Sequence, residues 1–468
     1  MNLVWQRFTL SYLPLKEFLA SSYLHRLVGL LQSWRQSSVL IKWGDIIAVA
    51  LISLIYGLTP FVPNALVGLL LTACVGFWFL LTLSDEVSVS TSPKFTPIHM
   101  LVLLYWGIST VATALSPVRS GSFKLPLAAF VGWQKLTLYL ILFALLSRVL
   151  RSQRIRSWLI TLYLHVALIV SVYGLRQLLF GAEALATWVD PTSPLSKTTR
   201  VYSYLGNPNL LAGYLLPAVF FSFVAFFVWN SVTQKALAVT MFVANTICLI
   251  VTYSRGGWIG LVVGSFILLL LLIFWWSVYM SPFWRTWALP IILGSVVSVF
   301  VLGTVFLEPV RERVSSMFVG GKDSSNAFRI NVWRAVIEMI KDRPVLGIGP
   351  GNTVFNKVYP NYGMARFTAL GAYSVPLEIA VETGFIGLTC FLWLLVVTFN
   401  SGVQQLRRLH QSRNIEAFWL IAAIATIAGM LAHGLVDTVW YRPEVNTLWW
   451  MMVALISSYW GVESRENN

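Results

Sequence analysis

The residues of this sequence best suited to chemistry are arginines and carboxylates placed where water is scarce. "TYSRGGWIG", residues 252–260, sets Arg255 between two apolar runs with almost no loop around it. A guanidinium at the edge of hydrocarbon is costly unless it snorkels, pairs or lines a wet cavity. Arg329 and Arg366 follow in a long polar stretch, and with Arg255 they make a candidate anion site, because the guanidinium fork grips phosphate or carboxylate bidentately. Snorkelling, with pairing to Glu308, Glu312 or Asp437, is the competing account. "YLGNPNLLAGYL", 204–215, places Asn207 and Asn209 around a proline. Asn-Pro is a turn signal, and the two amides are equally able to hold a substrate.

Glu378 and Glu382 stand four apart and share a helix face, and carboxylates inside a membrane are candidates for proton or cation coupling. Glu378 is also placed to pair with an arginine of the polar stretch. Lys135, and His433 with Asp437 one turn apart, are candidates of the same kind, although a lone helical histidine is more often packed than catalytic. "GIGPGN", 347–352, lacks the Lys-Ser/Thr of a P-loop and follows no strand, so it reads as a glycine-rich turn. No hydrolase triad, zinc site or nucleotide fold is visible. Cys74, Cys248 and Cys390 all fall inside apolar runs and make no metal spacing. Nothing in the sequence asks for a cofactor.

The elements that must position these residues are membrane helices. Of 468 residues, 57% are hydrophobic and 11% charged, against roughly 25% charged in a soluble domain. The expected fold class is therefore all-α, a polytopic transmembrane helical bundle in which every backbone polar group finds an internal partner. The 33 Lys and Arg against 18 Asp and Glu leave +15, which in a membrane protein reads as positive-inside bias and attraction to lipid rather than nucleic-acid binding. Apolar runs near 44–60, 65–84, 98–116, 127–147, 157–177, 210–229, 236–253, 257–279, 287–307, 375–399, 416–436 and 445–462 give about 12 spans.

Lys and Arg in the short loops place both termini in the cytoplasm of a multi-pass inner (plasma) membrane protein. The expected order is a basic N-terminal arm (1–43), nine spans (44–307), a long extracytoplasmic loop (308–374), three spans (375–462) and a short tail (463–468). The arm reads as cytoplasmic and partly amphipathic rather than as a cleaved leader. Within the loop, Asp323 to Asn326 offer N-caps and Pro344 a stop. Phe328, Val332, Trp333, Val336, Ile337 and Ile340 recur at helical spacing, predicting an amphipathic helix on the bundle mouth.

"TYSRGGWIG", "FRINVWRAVIEMIKDRPVLGIGPGNTVF" and "LEIAVETGFIGL" occur in the order seen in the O-antigen ligase and polymerase-like membrane proteins, which residues 200–400 resemble. The fuller stretches "RVYSYLGNPNLLAGYL", "DSSNAFRINVW" and "ARFTALGAYSVPLEIAVETG" resemble one branch more closely, the cyanobacterial inorganic-carbon accumulation proteins (IctB), often labelled bicarbonate transporters. The wider resemblance implies that Arg255 and Arg329 hold the pyrophosphate of a polyprenyl-linked glycan. The branch implies bicarbonate instead. Where the family carries a His-Asn element before Leu-Glu, this chain has Tyr373-Ser374. Tyrosine, with an ordinary pKa of about 10, is a poor general base at neutral pH, which argues against glycosyl transfer and leaves anion binding intact. The expectation is thus inorganic-carbon transport through a site of Arg255, Arg329, Arg366, Asn207, Asn209 and Tyr373, with a glycan transferase as the alternative. Lipid, the anionic substrate and other membrane proteins are the expected partners.

Overall fold

The structure, a computed structural model, describes residues 3–11, 28–85, 95–116, 124–182, 200–306, 308, 311, 324–363 and 369–460. Each of the 12 apolar runs falls on a helix. These are α1 (Gly44–Leu58), α2 (Asn64–Leu83), α3 (Pro97–Leu115), α4 (Lys124–Val149), α5 (Gln153–Phe180), α6 (Pro208–Val228), α7 (Val232–Val251), α8 (Arg255–Trp276) and α9 (Pro282–Phe306). After α10 (Ser324–Asp342) and α11 (Asn352–Val358) come α12 (Val375–Gln411), α13 (Ala417–Gly434) and α14 (Pro443–Ser458). Nine of them, α2 to α8 with α12 and α13, are long and apolar enough to cross a membrane. The chain is an all-α, multi-pass membrane protein.

α6 and α13 form the centre, and α8 lies against them. Its glycines Gly256, Gly260 and Gly264 recur every fourth residue, the small-residue spacing that lets membrane helices approach backbone to backbone. A Cβ on Gly260 would stand 2.6 Å from the carbonyl oxygen of Gly429 on α13, and one on Gly264 would stand 2.3 Å from the Phe220 ring on α6. The glycines flanking Arg255 therefore set helix spacing, and they fix where the arginine emerges.

Ion pairs sort the two ends of the bundle. At one end Arg35 and Arg148 share Asp85 at 2.9 and 2.7 Å, and Arg156 pairs with Glu416 beneath the Tyr459 ring. At the other end the long loop folds over the helices. There α10 and α11 build a second apolar core with the start of α4 and the first half of α12: Val332, Val336, Phe355, Ala129 and Val381 are buried in it. The helix expected from the stripe forms, but its buried face is rotated. Ala335 and Met339 face the core, whereas Ile337 is 42% exposed. The broad face at i, i+3, i+4 and i+7 outweighs the individual bulky residues.

α12 is broken. Gly384 adopts φ 68, ψ −171, which frees the carbonyls of Val381 and Glu382 from their helical partners. The glycine-rich turn fills the gap: Ile348 N–H donates to Val381 O (2.8 Å), Gly349 N–H to Glu382 O (2.9 Å), and Phe385 N–H to Pro344 O (2.7 Å). Irregular backbone at membrane depth is tolerated only where protein supplies such partners. Gly347, with φ 65, is required there, since a Cβ would lie 2.4 Å from Val381 O. "GIGPG" is accordingly neither a free surface turn nor a phosphate cradle. It completes a helix.

Candidate functional site

Arg255 is the first residue of α8, capped by Ser254, whose hydroxyl accepts from Gly257 N–H at 3.2 Å. Its side chain is 6% exposed and donates to the Asn326 carbonyl oxygen on α10. One turn later on α10, Arg329 donates to Asp437 at 3.1 Å. Asp437 also accepts from the Asn209 amide at 2.7 Å, and Asn209 in turn accepts from Arg200 at 3.2 Å. Arg200 is held from behind by a bond to the Thr252 carbonyl at 3.0 Å. Burial, with the cations of Arg329 and Arg255 nearby, lowers the Arg200 guanidinium to about 10, and Asp437 works in the opposite direction. It therefore stays charged at neutral pH. Three guanidiniums thus gather at the N-terminal ends of α6 and α8, Arg329 on the carboxylate of Asp437 and Arg200 one amide away from it, where helix N–H groups favour anions.

Backbone strain marks the same place. Among the described residues five non-glycines have positive φ, and three of them, Ser203, Tyr253 and Tyr373, border this cluster. Gln177, buried in α5, holds the first by accepting from the Tyr202 and Ser203 N–H groups at 3.1 and 2.8 Å. Positions of this kind persist only when their surroundings overdetermine them, and they gather at functional sites. Tyr373 sits edge-on to Phe328 at 5.4 Å. Burial, then the carboxylate of Asp437 and the Tyr441 hydroxyl, push its hydroxyl up to about 12. It is no base at neutral pH.

Arg255, Arg329, Asn209, Tyr373 and Asp437 are brought together. Asn207 stands beside them, but its carbonyl oxygen is occupied as the N-cap of α6, accepting from Asn209 and Leu210 N–H. His433 is buried one turn before Asp437, against Gly256, and neither ring nitrogen has a partner among the described residues. Arg366 lies outside the described residues, as does Glu312. Glu308 pairs with Arg311 instead of a site arginine. Glu378 does not pair with an arginine of the loop: its carboxylate accepts from Ala372 N–H at 2.8 Å, and that of Glu382 from Gly351 N–H at 2.7 Å. Backbone donors, rather than loop arginines, reach these two carboxylates.

With Lys135, these two glutamates line a separate cavity of about 390 Å³. Arg200 was missing from the sequence-derived site, although the stretch "RVYSYLGNPNLLAGYL" opens on it. Its position at the end of a long connection hid its proximity to Asn209. No curated protein matches the chain. Residues 236–392, which carry Arg255, Arg329, Tyr373 and both glutamates, match the O-antigen ligase family model, so this part of the chain is O-antigen ligase-like.

Proposed function

We propose that the protein binds the pyrophosphate of a polyprenyl-linked glycan at Arg200, Arg255 and Arg329 and transfers the glycan to an acceptor hydroxyl. The observation that supports this is the gathering of Arg200, Arg255 and Arg329 around Asn209, Asp437 and the start of α10, in a chain whose residues 236–392 are O-antigen ligase-like. Three guanidinium forks in one place suit an anion with many acceptor oxygens. Bicarbonate, with one negative charge, is the weaker fit, and a single broken helix without a counterpart among the described helices does not favour the paired architecture of many transporters. In transfer, the arginines stabilise charge developing on the departing pyrophosphate. The acceptor hydroxyl attacks the glycosyl carbon as its bond to the phosphate oxygen breaks. Its proton goes to Asp437, the carboxylate of the cluster, because Tyr373 is protonated.

The test is competitive binding to the full chain in nanodiscs, with polyprenyl pyrophosphate, polyprenyl monophosphate and bicarbonate as probes. The expected order is pyrophosphate tightest, with Arg255→Ala removing the preference. Equal binding of bicarbonate and pyrophosphate would overturn the proposal.

A further inference from the structure

The arginine cluster occupies one end of the bundle, and a second cation stands over an aromatic cavity at the other. There the ends of α8 and α12 meet the start of α13 around about 250 Å³, lined by Trp275, Trp276, Tyr279, His410, Arg413 and Phe418. Arg413 is held in an unusual way. α12 closes in a Schellman motif, with Arg413 N–H donating to His410 O (3.2 Å) and Asn414 N–H to Leu409 O (3.0 Å). The residue after such a cap is left-handed and usually glycine, yet here Arg413 adopts φ 53. A side chain is disfavoured in that conformation, and strained positions of this kind gather at functional sites. From it the guanidinium reaches over the Tyr279 ring, 5.5 Å from its centroid. Among the described residues no carboxylate pairs with it, because the next one along the chain, Glu416, is taken by Arg156.

Two helix C-termini meet at this cavity, and free carbonyls there would repel an anion. Several are already occupied. His410 Nε2–H donates to Trp275 O (3.2 Å) and Arg285 to Ser277 O (3.0 Å), while the Schellman bonds take two carbonyls of α12. The rim is apolar, with Val278 57% and Ile415 41% exposed. Trp and Tyr at the ends of membrane helices sit at headgroup level, and basic pockets between such helices take anionic lipid heads. A phosphodiester suits this wall: its oxygens match the guanidinium, and its acyl chains continue along the apolar rim. A free phosphate ion would leave the aromatic faces unfilled, and a choline head would meet the like charge of Arg413.

We infer that this cavity binds the phosphate of an anionic phospholipid, with Arg413 as its charged contact. The site does not depend on the transferase reading given above. Native mass spectrometry of the full chain in a neutral detergent tests it, with dioleoyl phosphatidylglycerol, dioleoyl phosphatidylcholine and inorganic phosphate as probes. The first phosphatidylglycerol adduct should be at least about fivefold tighter than that of phosphatidylcholine, the effect of one cation near a headgroup. Inorganic phosphate at the same concentration should not displace it. Arg413→Gly is the deciding variant, because it removes the charge while relieving the strained φ. Its thermal transition should hold or rise, while phosphatidylglycerol weakens about fivefold or more. Arg413→Lys keeps the charge without the fork and should fall between. Lys235→Gln, which takes one charge from the same end of the bundle at the start of α7, should leave the affinity unchanged. Equal binding of the two lipids, or full affinity in Arg413→Gly, would overturn the inference. So would equal loss in Lys235→Gln, which would make net charge the cause, or displacement by inorganic phosphate, which would make the ligand a free anion.

Discussion

Arg329→Ala and Asp437→Asn should move pyrophosphate binding in opposite directions. Arg329 is 16% exposed at its side chain and donates to Asp437, itself 8% exposed, at 3.1 Å. A hydrogen bond to a charged group contributes about 1.5–3 kcal/mol, and each 1.4 kcal/mol or so is tenfold. Removing the guanidinium should therefore weaken polyprenyl pyrophosphate roughly 10- to 150-fold. Arg329→Lys restores charge without the planar fork and should fall between. Asp437→Asn removes the carboxylate that competes with the ligand for the same cations, so affinity should hold or rise while glycan transfer collapses.

Asn in that place also keeps a partner for the Asn209 amide, limiting collateral damage. The assay is equilibrium binding in nanodiscs at fixed ionic strength, repeated at high salt, where a charge-driven difference shrinks. Binding of Arg329→Ala within twofold of the parent would refute this role for Arg329. Equal weakening by Asp437→Asn and Arg329→Ala would instead make the cluster a structural ion pair.

Four further outcomes are expected. Gly384→Ala should destabilise by roughly 3–5 kcal/mol, because a left-handed φ costs an L-residue about 1–2 kcal/mol and its Cβ would meet Val345 O at 2.1 Å; an unchanged thermal transition in detergent would refute the break in α12. Tyr373→Phe should cost no more than about tenfold in transfer, the loss of roughly one ordinary hydrogen bond. With its hydroxyl pushed up to about 12, Tyr373 contributes stability that is full below about pH 10 and is lost as pH rises towards 12. A pH–rate profile should thus show no Tyr373-dependent limb between pH 6 and pH 9 or so, and a limb abolished by Tyr373→Phe would refute this. A reporter fused after residue 345 should read extracytoplasmic, as the Lys and Arg bias of the short loops requires, and cytoplasmic activity there would invert the sidedness.

Helix positions were legible because hydrophobic length is a local property, and every apolar run lies on a helix. Arg255 was legible because a cation beside hydrocarbon is conspicuous, and Arg329 because it lies in the first turns of the striped helix. Arg200 was not, since only the return of the chain along α7 puts the Thr252 carbonyl behind it. The partners of Glu378 and Glu382 were equally hidden, because backbone N–H groups of Ala372 and Gly351 leave no residue-type signature. Ile337 misled the stripe because bulk was weighed above angular position. The break at Gly384 lay in plain view as one more glycine in an apolar run, and its meaning came only with the turn that fills it.

That filled break decides how this part of the chain could be exchanged between relatives. Residues 344–349 and the helix they complete are joined by three backbone bonds, so neither half is a replaceable cassette. A chimera whose crossover falls near 360 would pair a loop from one parent with a severed helix from another. Any mismatch in register would strand two carbonyls and one N–H away from water, each costing about 1–3 kcal/mol. Recombination, in the laboratory or in evolution, should succeed only when the segment from Pro344 through Phe385 travels whole, carrying both cavity glutamates with it.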